Sequence, residues 1–179
     1  MRGIGRSGQV LSAFVVFAAF LLLHVSAQGA ARDCHPVVPT GPVVLTVDGL
    51  IQDCEGQFEV KFDLPGLRAL PAEEVYTRNP WEKTKVRYRG VLLRDLVTAV
   101  GGHGAVLRIE ALDDYHSDLD VADVEAYDIL LAYEREGQTL PVRDKGPLFV
   151  VFPFTDVPAL ETQGRYAQSL WQVSRITIK

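Results

Sequence analysis

Alternation of apolar and polar residues predicts a series of short strands. Two further runs, 129–133 and 148–152, are apolar almost throughout, as is typical of strands buried on both faces. The predicted strands comprise these two runs and the segments 42–47, 58–62, 74–77, 85–89, 106–111 and 171–178.

Three short helical segments are predicted, over 64–70, 91–100 and 121–127. Asp63 is suited to cap the first of them, and Gly90 is expected to turn the chain into the second. Strands outnumber helices, and the two do not alternate regularly. The pattern therefore predicts an α+β protein with mixed or antiparallel sheets and short helices.

Residues 1–27 are typical of a secretory signal peptide. Arg2 and Arg6 precede the apolar run 10–25, and small residues lead to an expected cleavage after Ala27. The competing interpretation is an uncleaved membrane anchor, but the run is short and is interrupted by polar residues. We therefore expect an exported, periplasmic protein whose residues 28–179 form one domain.

Charge narrows the range of partners. The chain has 18 basic and 23 acidic residues and a net charge of −5. Removal of residues 1–27, which hold two of the basic residues and none of the acidic ones, leaves 16 against 23, a net charge of −7. This balance argues against nucleic acid and anionic lipid as partners.

The chain contains two cysteines, Cys34 and Cys54. In an exported protein such a pair is expected to form one disulfide, closing a loop of about 20 residues. A metal site that includes His35 is the alternative, but it lacks a fourth ligand and the usual short spacing between cysteines. We predict no metal site.

The segment 77–81 is the first candidate for a functional site. It follows the strand at 74–77 and contains an arginine, an amide and a tryptophan within five residues. Such a loop on a stiff scaffold is a common place for ligand contacts. The structural alternative is that Trp81 fills a core and Arg78 is solvated.

Hydrolytic chemistry is not favoured. His116 and Ser117 are adjacent on an extended segment, so their side chains point to opposite faces and do not form a catalytic pair. The remaining loop groups suit the binding of a planar heterocycle, which needs aromatic faces and hydrogen-bonding charges. These groups are Trp81, Tyr115 and Phe154, the cations Arg78, Arg143, Lys145 and Arg165, and the carboxylates Asp113 and Asp114.

A series of motifs gives the chain a recognisable resemblance. They are GPVVLTVDGL at 41–50, RGVLLRDL at 89–96, LDDY at 112–115, LPVRDKGPL at 140–148 and SLWQVSRI at 169–176. In their order and spacing, residues 28–179 resemble the molybdopterin-binding domain of the sulfite oxidase family, in its small, exported, single-domain form. The resemblance implies the sulfite oxidase-like molybdopterin-binding fold.

One departure from that family changes the functional expectation. Catalytic members carry a molybdenum-ligating cysteine at the head of the loop after the third strand. The matching residue here is Thr77, which has no soft thiolate for the metal. No catalytic residue is therefore assigned, and whether the protein is an enzyme is left open.

The chain also resembles small periplasmic pterin-binding proteins of the same fold. These report a pterin to a membrane-bound regulator of cyclic-di-GMP turnover, and the resemblance implies that function, a neopterin-like ligand and that partner here. The implied ligand-binding residues are Thr77, Arg78, Asn79, Trp81, Asp114, Tyr115 and Lys145. Trp81 is expected to stack on the ring, and Asp114 to accept hydrogen bonds from its 2-amino and N3–H groups.

Two alternatives from other classes remain open. The first is an oxidoreductase, or an accessory subunit of one, that depends on the molybdenum cofactor. The second is a structural or assembly protein that has kept only the fold. For Lys145, an ion pair with Asp144 is the structural alternative to ligand binding.

Overall fold

The computed structural model describes residues 38–52 and 58–179. The expected signal peptide and both cysteines, Cys34 and Cys54, lie outside these residues. No helix in the described part of the chain is long and apolar enough to cross a membrane.

The described residues form two five-stranded sheets. The first has the order β2-β1-β10-β5-β6, and the second has the order β3-β4-β7-β8 with β9 also paired to β7. Only β1 and β10 pair in parallel among these strands. The strands are β1 Val43–Gly49, β2 Glu59–Asp63, β3 Glu73–Thr77, β4 Val86–Leu92, β5 Val106–Ala111, β6 His116–Asp120, β7 Leu130–Arg135, β8 Gln138–Thr139, β9 Phe149–Val151 and β10 Val173–Ile178.

Within residues 38–52 and 58–179, four short α-helices accompany the sheets: α1 Leu64–Arg68, α2 Leu93–Ala99, α3 Val121–Ala126 and α4 Gln163–Gln168. The same ranges contain two 3₁₀ turns, at Val142–Asp144 and Pro158–Leu160. The predicted α+β class with mixed sheets and short helices is confirmed.

In the second sheet, residues 130–133 of β7 and all of β9 are buried on both faces. Leu131 and Tyr133 of β7 pack into the main core with the first sheet, whereas Leu130 and Ala132 pack into a second apolar cluster. This double burial explains why β7 is apolar almost throughout. The second cluster also contains Tyr88 and Phe149 and supports the candidate site described below.

Asp63 caps α1 as predicted, because its Oδ1 accepts a hydrogen bond of 2.8 Å from the Gly66 amide. That bond, followed by those from Gly41 and Thr40, outweighs burial and lowers the pKa of Asp63 below its ordinary value. The Asp63 carboxylate therefore joins α1 to the segment that precedes β1.

The predicted turn at Gly90 is wrong. β4 continues through Gly90 to Leu92, and its register with β7 shifts between Arg89 and Gly90. A Cβ atom at Gly90 would lie only 2.1 Å from the Leu131 carbonyl oxygen. The glycine therefore permits a close approach of two strands and does not start the helix.

Two other elements were missed in the sequence. Strand β6 is not among the predicted strands; it begins at His116, directly after a tight turn from β5. Helix α4 is not among the predicted helices; Thr162 caps it by accepting a hydrogen bond from the Arg165 amide.

Candidate functional site

Asn79 shapes the loop between β3 and β4. Its side chain is buried; Nδ2 donates to the Tyr88 hydroxyl at 3.0 Å, and Oδ1 accepts from the Trp81 amide at 3.1 Å. Its carbonyl oxygen accepts from the Glu82 amide at 3.1 Å. Three hydrogen bonds from one residue therefore fix the turn that carries Trp81.

Trp81 extends the second apolar cluster to the surface. It is 41% exposed, and its ring packs edge-to-face against Phe149 and Trp171. The ring centres are 6.4 Å apart for Phe149 and 5.0 Å apart for Trp171. The indole is thus held in place by aromatic neighbours and still offers area to solvent. Such a ring is suited to stack on a planar ligand.

Lys145 lies over this aromatic group. Its Nζ is 5.4 Å from the centre of the Trp81 ring and 5.7 Å from that of Phe149, within the range of cation–π attraction. The same Nζ is 3.4 Å from Glu82 Oε1, so the carboxylate that it meets is Glu82 and not the neighbouring Asp144. The Lys145 backbone is left-handed, with φ of 67°.

Glu82 joins two cations beside Trp81. Its Oε2 accepts a hydrogen bond of 3.0 Å from Arg135 of β7, while Oε1 faces Lys145. The Glu82 side chain is only 17% exposed, so these charges interact with little screening. The Arg135 Nε is buried and has no acceptor among the described residues, which leaves the guanidinium partly unpaired.

Tyr88 is buried next to Glu82 and Arg135. Burial, and next the negative charge of Glu82, raises the pKa of Tyr88 above its ordinary value. The phenol is therefore protonated at neutral pH, and its oxygen accepts the Asn79 hydrogen bond. The Tyr88 ring also contacts Phe149, with the ring centres 5.7 Å apart.

Thr77 is fully buried at the end of β3. Its hydroxyl accepts a hydrogen bond from the Thr155 amide at 3.1 Å and donates to the Arg78 carbonyl at 3.3 Å. Arg78 is exposed, and its guanidinium is 3.9 Å from Glu161. Thr77 thus supports the loop from inside, whereas the Arg78 side chain is on the surface.

Asp114 and Tyr115 lie on the turn between β5 and β6. Asp114 has φ of 65°, and its amide donates to the Ala111 carbonyl. Both side chains are exposed. No hydrogen bond or ring contact within the described residues joins them directly to Trp81 or Lys145.

Gln172 connects that turn to the rest of the site. Its carbonyl accepts from the Leu112 amide at 2.9 Å, and its amide donates to the Lys145 carbonyl at 3.1 Å. Its side chain donates to the Val142 carbonyl at 2.7 Å. The loops that carry Asp114, Lys145 and Trp171 are therefore neighbours.

Exposed apolar side chains lie on the loops that Gln172 connects, and Trp81 contacts one of them, Trp171. We define the apolar rim as Trp81, Leu112, Tyr115, Val142 and Trp171, whose exposure ranges from 38% to 54%. A group of this kind on one side of a protein is typical of a binding surface.

Asn79, Trp81 and Lys145, all singled out from the sequence, lie together in the structure. Glu82, Tyr88, Arg135, Trp171 and Gln172 were not predicted, because their meeting depends on how β4, β7 and β10 pair. One signal was present, since Glu82 is the single acidic residue in the basic stretch 78–89. Phe154, predicted as an exposed aromatic face, is instead buried and stacks on Phe152.

A surface cavity of about 500 Å³ lies elsewhere, between α2 and α3. Its lining includes Arg94, Asp95, His103 and Glu125, and none of the predicted site residues. Its lining includes no Trp, Tyr or Phe, so we do not assign the ligand to it.

The donor groups at the site limit which metal could be held there. Thr77 offers a hard, buried hydroxyl whose hydrogen bonds are already made within the protein, and it does not fit a molybdenum ligand. No group of three metal-ligating side chains forms within the described ranges. The exposed indole, Lys145 and the nearby carboxylates, in contrast, match an aromatic heterocycle with polar edges.

A family model described as an oxidoreductase molybdopterin binding domain matches residues 42–155. No curated protein sequence matches the chain.

Among solved structures, the sulfane dehydrogenase SoxCD from Paracoccus pantotrophus is similar, with a TM-score of 0.55 and 18% sequence identity. The match covers 75% of this chain and 37% of the dehydrogenase chain. At this identity the similarity concerns the fold alone.

Proposed function

Because the chain belongs to the oxidoreductase molybdopterin-binding domain family of sulfite oxidase-type fold, we propose that it is a periplasmic protein that binds a pterin as a ligand. In this proposal the pterin-loaded protein signals to a membrane-bound regulator of cyclic-di-GMP turnover. The observation that carries the proposal is the partly exposed Trp81, held between aromatic neighbours beneath the Lys145 ammonium group.

The ring of a pterin has the features that this surface is suited to bind. Its flat bicycle stacks on the Trp81 indole, and its carbonyl accepts a hydrogen bond from Lys145. Its 2-amino and N3–H groups donate to a carboxylate, for which we propose Asp114. Arg78 and Tyr115 flank the ring, whereas the buried Thr77 and Asn79 support the loop from beneath it.

A molybdenum-cofactor oxidoreductase is the second candidate. The description of the family and the dehydrogenase activity named for the SoxCD structure favour it. If the cofactor bound here, its pterin would use the same indole and ammonium groups. Thr77 weighs against this candidate, because it offers the metal no thiolate and its hydroxyl is already hydrogen-bonded.

The apolar rim supports a protein partner next to the ligand. Leu112, Tyr115, Val142 and Trp171 are exposed, and hydrogen bonds of Gln172 link the loops of Leu112 and Val142 to that of Lys145. A partner that covers the rim would contact both protein and ligand, and its affinity would then depend on whether the site is filled. This is the arrangement that a ligand sensor requires.

Titration of the exported protein with reduced neopterin tests the proposal. The chain has only two tryptophans, Trp81 and Trp171, so their fluorescence reports on the site. We expect saturable binding to the parent. Trp81→Ala and Asp114→Asn should each weaken it by about tenfold or more, which corresponds to ~1.4 kcal/mol.

Two matched variants serve as controls. Tyr76 is an exposed aromatic with the Lys85 ammonium 5.8 Å above its ring, so Tyr76→Ala removes a similar pair away from the site. Asp113→Asn changes the neighbouring carboxylate and keeps an oxygen for the Tyr115 amide. Both should bind as the parent does. Parent-like binding by Trp81→Ala and Asp114→Asn would disprove the assigned site, and no binding by the parent would disprove the function.

A further inference from the structure

We call residues 78–85, between β3 and β4, the Trp81 loop. Where this loop begins, two threonines from distant parts of the chain are joined by a pair of hydrogen bonds. The Thr155 amide donates to Thr77 Oγ1 at 3.1 Å, and the Arg78 amide donates to Thr155 Oγ1 at 3.2 Å. We call this pair of hydrogen bonds the threonine clasp. Each hydroxyl thus accepts an amide proton from the other segment.

Both ends of the clasp are anchored. Thr77 pairs with Val86 in the second sheet. Thr155 follows the buried Phe154, in a turn where the Asp156 and Val157 amides both donate to the Pro153 carbonyl. A bond between two such rigid segments can define the position of the residues between them.

Among the described residues, few other contacts hold the first residues of the Trp81 loop. Asn79 ties the middle of the loop to Tyr88, and Glu82 ties its end to Arg135 and Lys145. The Arg78 guanidinium is 62% exposed and 3.9 Å from Glu161, which makes that ion pair weak. The clasp therefore supplies the main fixed point at the start of the loop.

We propose that Thr77 and Thr155 are positioning residues that set the place of the Trp81 indole, so that the pterin site is ordered without any metal ligand at residue 77. This inference rests on the proposed function. It gives Thr77, which the family resemblance places where catalytic members have a cysteine, a defined role within this chain. Loss of the Thr77 hydroxyl would leave the partly buried Thr155 amide without its acceptor, and loss of the Thr155 hydroxyl would do the same to the exposed Arg78 amide.

The test compares isosteric variants. Thr77→Val and Thr155→Val remove one hydroxyl each and keep the branched shape, whereas Thr77→Ser keeps the hydroxyl. Thr98→Val is the matched control, because it removes a hydroxyl that bonds the Arg94 carbonyl in the distant helix α2. Thr155 is less buried than Thr77, so Thr155→Val tests the clasp even where Thr77→Val fails to fold.

Two readouts separate positioning from simple stabilisation. The first is the affinity for reduced neopterin, which we expect to fall roughly tenfold in each valine variant and to return in Thr77→Ser. The second is acrylamide quenching of tryptophan fluorescence in the folded protein without ligand. Quenching should be stronger in the valine variants than in the parent, because a displaced Trp81 would be more accessible to acrylamide. In Thr77→Ser and Thr98→Val it should equal that of the parent.

Different results would overturn the positioning role of the two threonines and the proposed binding of a pterin. A valine variant that melts earlier but keeps the affinity and quenching of the parent would overturn the positioning role. So would a Thr77→Ser variant as impaired as Thr77→Val. If the parent fails to bind neopterin, the proposed function is wrong, and the quenching comparison still decides whether the clasp positions the loop.

Discussion

Glu82 holds two cations next to an exposed indole, and it does so from a position where its carboxylate is largely shielded from water. Arg135 and Lys145 together carry two positive charges against the one negative charge of Glu82. The carboxylate thus keeps Lys145 over the Trp81 ring, and the three side chains together retain one positive charge. At the residue scale, this is the interaction that prepares the surface for a polar aromatic ligand.

Glu82→Gln tests this role. The amide keeps the size of the side chain and removes the charge, so we expect a loss of about 1–2 kcal/mol in the free energy of unfolding. Neopterin binding should weaken as Lys145 leaves its place. Urea unfolding and the neopterin titration measure the two effects.

Glu161→Gln is the matched control for that variant. Glu161 lies 3.9 Å from the exposed Arg78, and an ion pair of this kind is worth between about 0 and 1 kcal/mol. A Glu82→Gln variant that is no less stable than Glu161→Gln and binds neopterin normally would contradict the account of Glu82.

At the scale of the element, the pairing of β4 with β7 assembles the site. Tyr88 faces Arg135 across these strands, which places the phenol, the guanidinium and Glu82 together. The close approach of the strands depends on Gly90, which has no room for a side chain against the Leu131 carbonyl. The register shift at that glycine is therefore part of how the site forms.

Gly90→Ala should be strongly destabilising. The added methyl would lie 2.1 Å from the Leu131 oxygen and 2.6 Å from the Ala132 Cα, both of which are backbone atoms. We expect a loss of about 2–3 kcal/mol or more, as for other overpacked cores. Thermal and urea unfolding provide the measurement.

Gly137→Ala is the comparison. Gly137 has φ of 75° but nothing within 4 Å of its Cβ position, so only backbone strain of about 1 kcal/mol is expected. Equal losses in the two variants would show that the clash at Gly90 is relieved and that strand spacing does not restrict that position.

The sequence predicted correctly those features that depend on residues close together in the chain. Asp63 and its cap, the apolar run of β7 and the exposed, polar-plus-aromatic loop with Trp81 all depend on neighbours within a few residues. The turn expected at Gly90 was wrong because the reason for that glycine is a strand 41 residues further along the chain. Glu82 and Arg135 were missed for the same reason, since only the sheet register brings them together.

At the scale of the whole molecule, the expected export of the protein determines the state of its cysteines. Cys34 and Cys54 are the only two cysteines in the chain. We predict that the exported form begins at Gln28 and contains a disulfide between them. A loop of about 20 residues closed in this way stabilises the folded state by ~3 kcal/mol.

Thiol titration of the denatured, exported protein measures this directly. We expect no free thiol before reduction and two afterwards, with a lower melting temperature for the reduced protein. The double variant Cys34→Ser/Cys54→Ser should melt like the reduced parent. Two free thiols in the exported protein would show that the pairing is wrong.

The central claim is that this chain holds a pterin as a ligand and not as part of a molybdenum cofactor. The most direct measurement is the content of both in protein isolated from the periplasm, by elemental analysis for molybdenum and by fluorescence for the released pterin. The account predicts released pterin in amounts that fall in Trp81→Ala, with molybdenum far below one atom per chain. One molybdenum atom per chain would contradict it.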